Sequence, residues 1–428
     1  MSAIRADDDA PVVVIGAGAV GIACACYLQR DGRKVLVLDP GGPGEGASFG
    51  NAGGLNGSSV VPVAMPGVLP QVPRWLLDPL GPLAIRWRYL PFLLPWLWRF
   101  VNAGTPEKVK HQAKALRGLL APSVDAYRTL LRPAGAEDVL HRIGHLNVYK
   151  SRASFDKDGA AMELRRANGV EVLDVSADEL HQLEPALSRD YVLGRLISEN
   201  GHCSNPLRMV QALAEYVART GGRIERARAL GFVTTNGRVD VVRSDAGDRR
   251  ASHVVIAAGA WSRPLAVSLG DRLPLDTERG YHVTIKDPEV IPRLPAMAAE
   301  GKFAVTPMEM GLRVAGTVEF GGLDAPPDWR RARILLRQAQ AMYPGLSREI
   351  SEDRIATWMG FRPSMPDSLP VVGPSSGFAN AFYAFGHGHV GLAAAPMTGR
   401  LVADLIAGRA PCLDPRPFSA KRFDGDTA

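Results

Sequence analysis

The stretch PVVVIGAGAVGIACACYLQRDGRKVLVLD, Pro11 to Asp39, decides how the chain is read. Val12 to Ile15 is a short continuous apolar run, as a strand covered on both faces requires. Gly16-Ala17-Gly18-Ala19-Val20-Gly21 follows. A helical segment then runs from about Val20 to Arg30 and stops at Asp31-Gly32, and a second apolar run, Lys34 to Leu38, ends at Asp39. Gly16 permits the tight turn out of the strand, Gly18 lets backbone approach a pyrophosphate, and Gly21 lets helix and strand pack together. Through Ala17, Ala19 and Val20 the helix start offers unpaired N–H groups and a positive dipole end to phosphate oxygens. Asp39, followed by Pro40, accepts hydrogen bonds from ribose hydroxyls, and its charge argues against a 2′-phosphate. The glycine spacing alone is weak evidence. Strand, glycine turn, helix, second strand and acid in this order predict a dinucleotide site.

Working outward, the next segment, GGPGEGASFGNAGGLNGSS from Gly41 to Ser59, is a long glycine/serine loop where nicotinamide enzymes usually have a helix. Such a loop suits a cofactor whose second half is approached by backbone at several points. Ser48, Asn51, Ala52 and Gly53 are the candidate contacts. Farther on, HVVIAAGAWS (His253 to Ser262) is another buried strand that ends in a glycine turn, with Ala258, Gly259 and Trp261 at its exit. Near the other end, NAFYAFGHGHVGLAAAPMTGRLVADLIAG repeats the opening logic. A strand from Asn380 to Phe385 leads through Gly386, Gly388 and Gly391 into a helix that reaches about Ile406. The separated units predict one cofactor domain assembled from distant segments.

Bulk properties bound the rest. The chain has 428 residues, 46% hydrophobic and 22% charged, which suggests two domains. The net charge of +6 is scattered, mostly on arginine, and no nucleic-acid module appears. Of four cysteines, none forms a CxxC pair and no Cys/His spacing suits zinc, so no metal site is expected. Cys24 and Cys26 read as small helix-packing residues, and a reducing compartment is the default. The opening MSAIRADDDAPVVVIGAG does not read as a signal peptide, and no apolar stretch is long enough to span a bilayer.

PRWLLDPLGPLAIRWRYLPFLLPWLWRF carries Trp75, Trp87, Trp96 and Trp98 among Arg74, Arg86, Arg88 and Arg99, broken by Pro79, Pro82, Pro91 and Pro95. It suits either an interfacial membrane anchor or helices packed beneath a substrate domain. Thr105-Pro106-Glu107 starts a helix whose stripe, Val109, Ala113, Leu116 and Leu120, continues past Pro122 through Val124, Tyr127 and Leu131. Asn205-Pro206 starts another, and Asn236-Gly237 marks a hairpin. Thr277 to Thr317 is strand-rich. An amphipathic helix follows, with Trp329, Ala332, Leu336, Ala339 and Tyr343 on its expected buried face.

Together GAGAVG…LD, SFGNAGGLN, AAGAWS, ERGYHV, GFRPSMPDSLPVVG and FGHGHVGLAAAPMTGRLVADLI resemble the D-amino acid oxidase-like superfamily of FAD-dependent oxidoreductases, closest to the D-amino acid dehydrogenase small-subunit branch. The resemblance covers nearly the whole chain. It implies an α/β fold: an FAD-binding Rossmann-like domain of the glutathione-reductase type (8–58, 203–270 and 354–424), plus an α+β substrate domain with a mixed, mostly antiparallel sheet (59–202 and 271–353). It implies that Arg362, in the GFRP segment, pairs with the substrate carboxylate, which a planar guanidinium does bidentately. Tyr281 is placed beside that carboxylate or is a plain strand aromatic. His387 faces the active site or only shapes the turn, and His389 stands at a variable position. Backbone from Gly388 through His389, Val390 and Gly391 to Leu392 is expected near the flavin pyrimidine ring, and Leu230 against adenine. With no cysteine between Cys203 and Cys412, FAD is expected to be non-covalent. The implied reaction is oxidative deamination of a D-amino acid or D-proline-type imino acid, with a quinone or other acceptor taking the electrons. Rivals are a glycine- or sarcosine-type oxidase using oxygen, or a flavoprotein subunit of a larger complex. The implied location is cytoplasmic, on the inner face of the plasma membrane if 74–100 is an anchor.

Overall fold

The computed structural model describes residues 10–66, 81 and 83–424. Strand β1 (Val12–Ile15), helix α1 (Ala19–Arg30) and strand β2 (Val35–Asp39) form the opening unit as the apolar runs predict. β1 is buried along its whole length because it has parallel partners on both sides: Val12 pairs with Val35 on β2 and with His253 on the His253–Ile256 strand. The six-stranded sheet runs Arg223–Arg226, β2, β1, His253–Ile256, Ala381–Phe385, Val371–Pro374. Only the last pair is antiparallel. Three distant parts of the chain thus build one sheet.

Gly16 leaves β1 with φ +110°, and a Cβ there would lie 2.4 Å from the Ala257 carbonyl oxygen. At Gly21 a Cβ would lie 1.9 Å from the Gly16 oxygen, so helix and strand touch at backbone distance. The C-terminal helix Gly391–Ile406 packs on α1 equally closely, its Gly399 against the Ala23 backbone. Cys24 and Cys26 are fully buried, Cys26 with its Sγ toward the Leu213 carbonyl, and burial pushes both thiols up to about 12. They are inert packing groups.

The second sheet has nine strands. Its path is Ile355–Ser364, Asp276–Ile285, Gly311–Phe320, Phe303–Met308, Ala296–Ala298, His145–Tyr149, Leu193–Ile197, Leu173–Val175, with Leu83–Ile85 paired to Gly311–Phe320. Only two of its pairings are parallel, so the sheet is mixed and mostly antiparallel. Helix Arg330–Met342 covers one face through Ala332, Leu335 and Ala339. Trp329 precedes that helix and is exposed, a departure from the expected stripe.

Two expected domain boundaries shift. Ile355–Ser364 lies in the second sheet, registered with Asp276–Ile285 from Asp276↔Ser364 to Ile285↔Ile355. Gly360 and Pro363 hide its alternation in the sequence. Helices Pro106–Leu120 and Ser123–Ala134 pack with α1, Pro206–Arg219 and Gly391–Ile406 in the core of the first unit. Tyr127 donates to the Leu392 carbonyl at 2.8 Å. An apolar stripe specifies a buried face but not the element that covers it.

The tryptophan-rich segment is packed on one face and exposed on the other. In helix Leu90–Ala103, Leu93 and Trp96 are buried against Phe320. The opposite face leaves Phe92 75% and Trp98 65% exposed, with Trp87 just before the helix at 72%. Arg74, Trp75, Pro79 and Pro82 lie outside the described residues. Among the described residues no helix is long and apolar enough to cross a membrane.

Candidate active site

A cavity of about 1170 Å³ runs from the β1–α1 turn, past the glycine/serine loop, to the face of the second sheet not covered by Arg330–Met342. At its first end lie Gly16, Gly18, Ala19, Val20, Asp39, Pro40 and Leu230. The Asp39 carboxylate accepts from Ala17 N at 2.7 Å and from Gly41 N at 2.8 Å, each oxygen keeping a second lone pair. Burial pushes its pKa above the ordinary carboxylate value, against the pull of those two N–H groups. Ser48 Oγ accepts from Ala19 N at 3.0 Å. The Gly18 and Val20 N–H groups make no backbone bond among the described residues and border the cavity. A Cβ on Gly18 would meet protein only at 3.5 Å, so the fold itself does not demand glycine there. A ligand phosphate at the helix start would account for both facts. Ala17 and Gly21 stand behind the surface as packing and turn residues.

The glycine/serine loop is pinned by side chains the sequence analysis did not single out. Buried Arg313, on the Gly311–Phe320 strand, donates to the Phe49 carbonyl at 2.9 Å and the Asn51 carbonyl at 2.8 Å. Burial lowers its pKa to about 10, which leaves it cationic at neutral pH. His282 Nδ1 bonds the Gly50 carbonyl at 3.0 Å. Burial, with Arg313 nearby, pushes the imidazole down to about 3, so it is neutral and this nitrogen carries the hydrogen. Trp358 stacks on His282 with centroids 5.2 Å apart and covers Gly50, where a Cβ would lie 2.0 Å from the indole. Asn51 and Ala52 border the cavity. Gly53 does not: with φ +75° it sits against the Cys203 carbonyl, a packing role.

At the far end stands Arg362. Its strand partner is Glu278, and the next pair on the same face is Gly360 with Gly280. The guanidinium crosses Gly280, where a Cβ would lie 2.2 Å from Nη2, and Nη1 donates to the Thr317 carbonyl at 3.0 Å. Thr317 has φ +60°, rare for a β-branched residue, at a break in register between Arg279 and Tyr281. That bulge turns its carbonyl onto Arg362. Arg362 makes no ion pair within 4.0 Å among the described residues. Burial pushes its pKa below the ordinary guanidinium value, and the Glu278 charge opposes this. A partly buried cation held by one neutral carbonyl, open to a cavity, is set to receive an anion.

Tyr281 is one residue out of phase with Glu278, Gly280 and His282. Its hydroxyl donates to Glu319 at 2.6 Å and accepts from Asp328 N at 2.9 Å. The hydroxyl is engaged in a buried network, while Tyr281 also borders the cavity. His387 is buried with Nε2 2.9 Å from Thr398 Oγ1, and burial pushes it down to about 3. His389 opens into the cavity. Desolvation, then the Arg362 charge, pushes it down to about 4. Gly388, Val390, Gly391 and Leu392 border the cavity. Gly386 does not; φ +85° and contact with Met365 account for it. Ala258, Gly259 and Trp261 complete the wall, Trp261 edge-on to Phe361.

Comparison with known proteins agrees with this architecture. The family model described as FAD dependent oxidoreductase matches residues 11–405. A protein of Bradyrhizobium diazoefficiens named D-amino-acid oxidase is 45% identical over 415 residues, 96% of this chain and 98% of that one. A D-amino acid dehydrogenase of Xanthobacter autotrophicus is 32% identical over 422 residues, 96% and 99% of the two chains. Among solved structures, glycine oxidase from Geobacillus kaustophilus superposes with a TM-score of 0.74 at 23% identity, covering 96% of this chain and 98% of that one. That likeness bears on the fold alone.

Proposed function

We propose, for a chain that belongs to the FAD dependent oxidoreductase family, that its reaction is the oxidative deamination of a D-amino acid or a D-proline-type imino acid. From a D-amino acid the product is an imine, which water converts to a 2-oxo acid and ammonia; from a D-proline-type imino acid it is a cyclic imine that keeps its nitrogen. The observation that carries this is Arg362: a cation with no ion pair among the described residues, facing a cavity whose other end is built for a dinucleotide. Arg362 grips the substrate carboxylate with two parallel N–H···O bonds. Thr317 fixes the guanidinium plane, so the grip sets the direction of the Cα–H bond. FAD, when bound, supplies the acceptor for the hydride that leaves Cα. Asp39, Gly18, Val20 and the loop around Ser48 and Asn51 are its proposed holders. Backbone N–H groups of the Gly388–Leu392 turn are proposed to steady the negative charge that the acceptor gains. His387 and His389 stay neutral at pH 7 and so do not compete with Arg362 for the carboxylate. None of the four cysteines borders the cavity, which supports non-covalent binding. Flavin retained by acid-precipitated protein would overturn that point.

The D-specificity is supported by the names of the relatives that match along nearly their whole length. The acceptor is proposed to be a membrane quinone, supported by the exposed Trp87, Phe92 and Trp98 beside Arg88, an apolar face with a basic flank suited to a bilayer surface. Co-sedimentation with anionic vesicles tests this, and a chain that stays in the supernatant at low salt overturns it. High peroxide yield with D-substrates would favour oxygen instead, and glycine or sarcosine as the better substrate would favour the secondary-amine reading. Lack of dye-linked turnover by the isolated chain would point to a subunit of a larger complex. The deciding experiment is an anaerobic absorbance titration with D-amino acids, D-proline and their enantiomers. Bleaching by a D-compound and not by its mirror image is expected. A flavin spectrum that no D-compound bleaches would defeat the proposal.

A further inference from the structure

We propose that Glu278 takes the proton from the substrate ammonium and that Arg362 times the transfer. This rests on the deamination reading above. An α-amino acid arrives as a zwitterion, and an ammonium nitrogen has no lone pair with which to expel hydride from Cα. Something must remove one proton first.

Glu278 is placed to do so. It stands directly across the strand pair from Arg362, which puts the two Cβ atoms about 5 Å apart on the same face. It borders the main cavity beside Arg362, Gly280 and Thr317. It also borders a second, small cavity of about 20 Å³ with Ser364, His387, His389 and Trp96. That space is large enough for one water. A carboxyl buried this far usually has an ion-pair partner, yet no salt bridge within 4.0 Å is made by Glu278 among the described residues.

The groups around it define its charge. Asp276, two residues back on its own strand, opposes ionisation; Ser364 and Arg362 across the strand pair favour it. From the last glycine turn, His387 and His389 face the small cavity as neutral rings. The neighbouring strand and helices contribute Phe320, Trp96, Phe100 and Leu116, which carry no charge. Burial pushes the Glu278 carboxyl above the ordinary carboxylate range, and Arg362 is the cation that opposes this. When a substrate carboxylate neutralises Arg362, that support is withdrawn and the proton affinity of Glu278 rises. The ammonium is then within reach, because it lies one carbon from the bound carboxylate. One N–H bond breaks and one Oε–H bond forms. The amine becomes neutral, Glu278 becomes a neutral acid, and no other charge moves. After the imine leaves, the proton passes to solvent through water in the small cavity.

Two measurements test this. With 2-aminoisobutyrate, which has the ammonium and carboxylate but no Cα–H to lose, infrared difference spectra of the wild-type holoenzyme should show a new protonated-carboxyl band. The band should be absent in Glu278→Gln and shifted in Glu278→Asp, which serves if the Gln variant does not fold. Second, the rate of flavin bleaching by the best D-substrate should be nearly flat around neutral pH in the wild type. In Glu278→Gln it should climb about tenfold per pH unit, following the free amine. No band in the wild type, or a band that survives both substitutions, overturns the proposal. So does a Glu278→Gln profile parallel to the wild type with only KM raised, which would make Glu278 a positioning residue for Arg362. Failure of every D-amino acid to bleach the wild type would instead strike the deamination reading itself.

Discussion

Replacing Arg362 by alanine separates binding from folding in a way the structure makes quantitative. The guanidinium has one protein hydrogen bond, to the Thr317 carbonyl at 3.0 Å, and no ion pair within 4.0 Å among the described residues. Its fork is free for a substrate carboxylate. Each charge-assisted bond is worth about 1.5–3 kcal/mol, so losing two removes about 3–6 kcal/mol of transition-state stabilisation. That corresponds to a fall in kcat/KM of roughly a hundred- to ten-thousand-fold. The fold loses one hydrogen bond from a charged donor, worth about 1.5–3 kcal/mol, and the attraction of Glu278, and is relieved of a desolvated charge that offsets them. Arg362→Ala should therefore melt close to the parent in its FAD-free form while losing nearly all activity. Arg362→Lys keeps the charge but not the fork, and should fall between the two, about ten- to a hundred-fold below the parent. The assays are anaerobic flavin bleaching against substrate concentration and thermal melts of the FAD-free chain. Unchanged kcat/KM in the alanine variant would refute the carboxylate assignment. A loss of activity matched by a loss of stability of several kcal/mol would show Arg362 to be structural.

Other outcomes follow from the packing. Gly50→Ala sets a Cβ 2.0 Å from the Trp358 indole; overpacking of about 1–3 kcal/mol should displace the loop, and FAD retained through gel filtration should drop. Tyr281→Phe removes one of the partners of Glu319 Oε2, which keeps Arg279, and strands the Asp328 N–H, so stability should fall by about 1–3 kcal/mol with KM for the D-substrate nearly unmoved; a large rise in KM would put the hydroxyl back at the substrate. His282 and His387 are held neutral down to about 3 by burial, against an ordinary 6.5. The unfolded chain binds protons that the native state refuses, so stability should fall with pH below about 6.5 by about 1.4 kcal/mol per unit for each ring. Melts between pH 7.5 and 5 should show this slope, and His387→Asn should reduce it.

Much of the cofactor end was legible in the sequence because it is local. The turn at Gly16, the start of α1 and the acid at Asp39 lie within one short stretch, and each follows from what a single backbone position can adopt or a single helix end must satisfy. The hairpin at Asn236-Gly237 is legible for the same reason: both residues take positive φ, 50° and 71°. The glycine turns near Gly259 and Gly388 announce themselves as strand exits, and Arg362 enters through the GFRP segment of the family resemblance.

The substrate end depends on register, which no local signal carries. Period two tells from sequence that Glu278, Gly280 and His282 share one face and that Arg279 and Tyr281 share the other. Which face borders the cavity is settled only by the partner strand, where Glu278 meets Arg362 and His282 meets Trp358. That pairing moves Tyr281 into a buried network and brings Glu278 forward. Likewise, Arg313 reaches the carbonyls of Phe49 and Asn51 across more than 260 positions of chain. A helix stripe records that something covers it, and the tertiary structure decides that Pro106–Leu120 is covered by the cofactor unit. Sequence by itself determined the dinucleotide turn and the order of elements, since those are short-range consequences of backbone freedom and apolar spacing. The pinned loop, the orientation of Arg362 and its acidic neighbour were decided only when distant strands paired, because contact between residues far apart in the chain is a property of the packed whole.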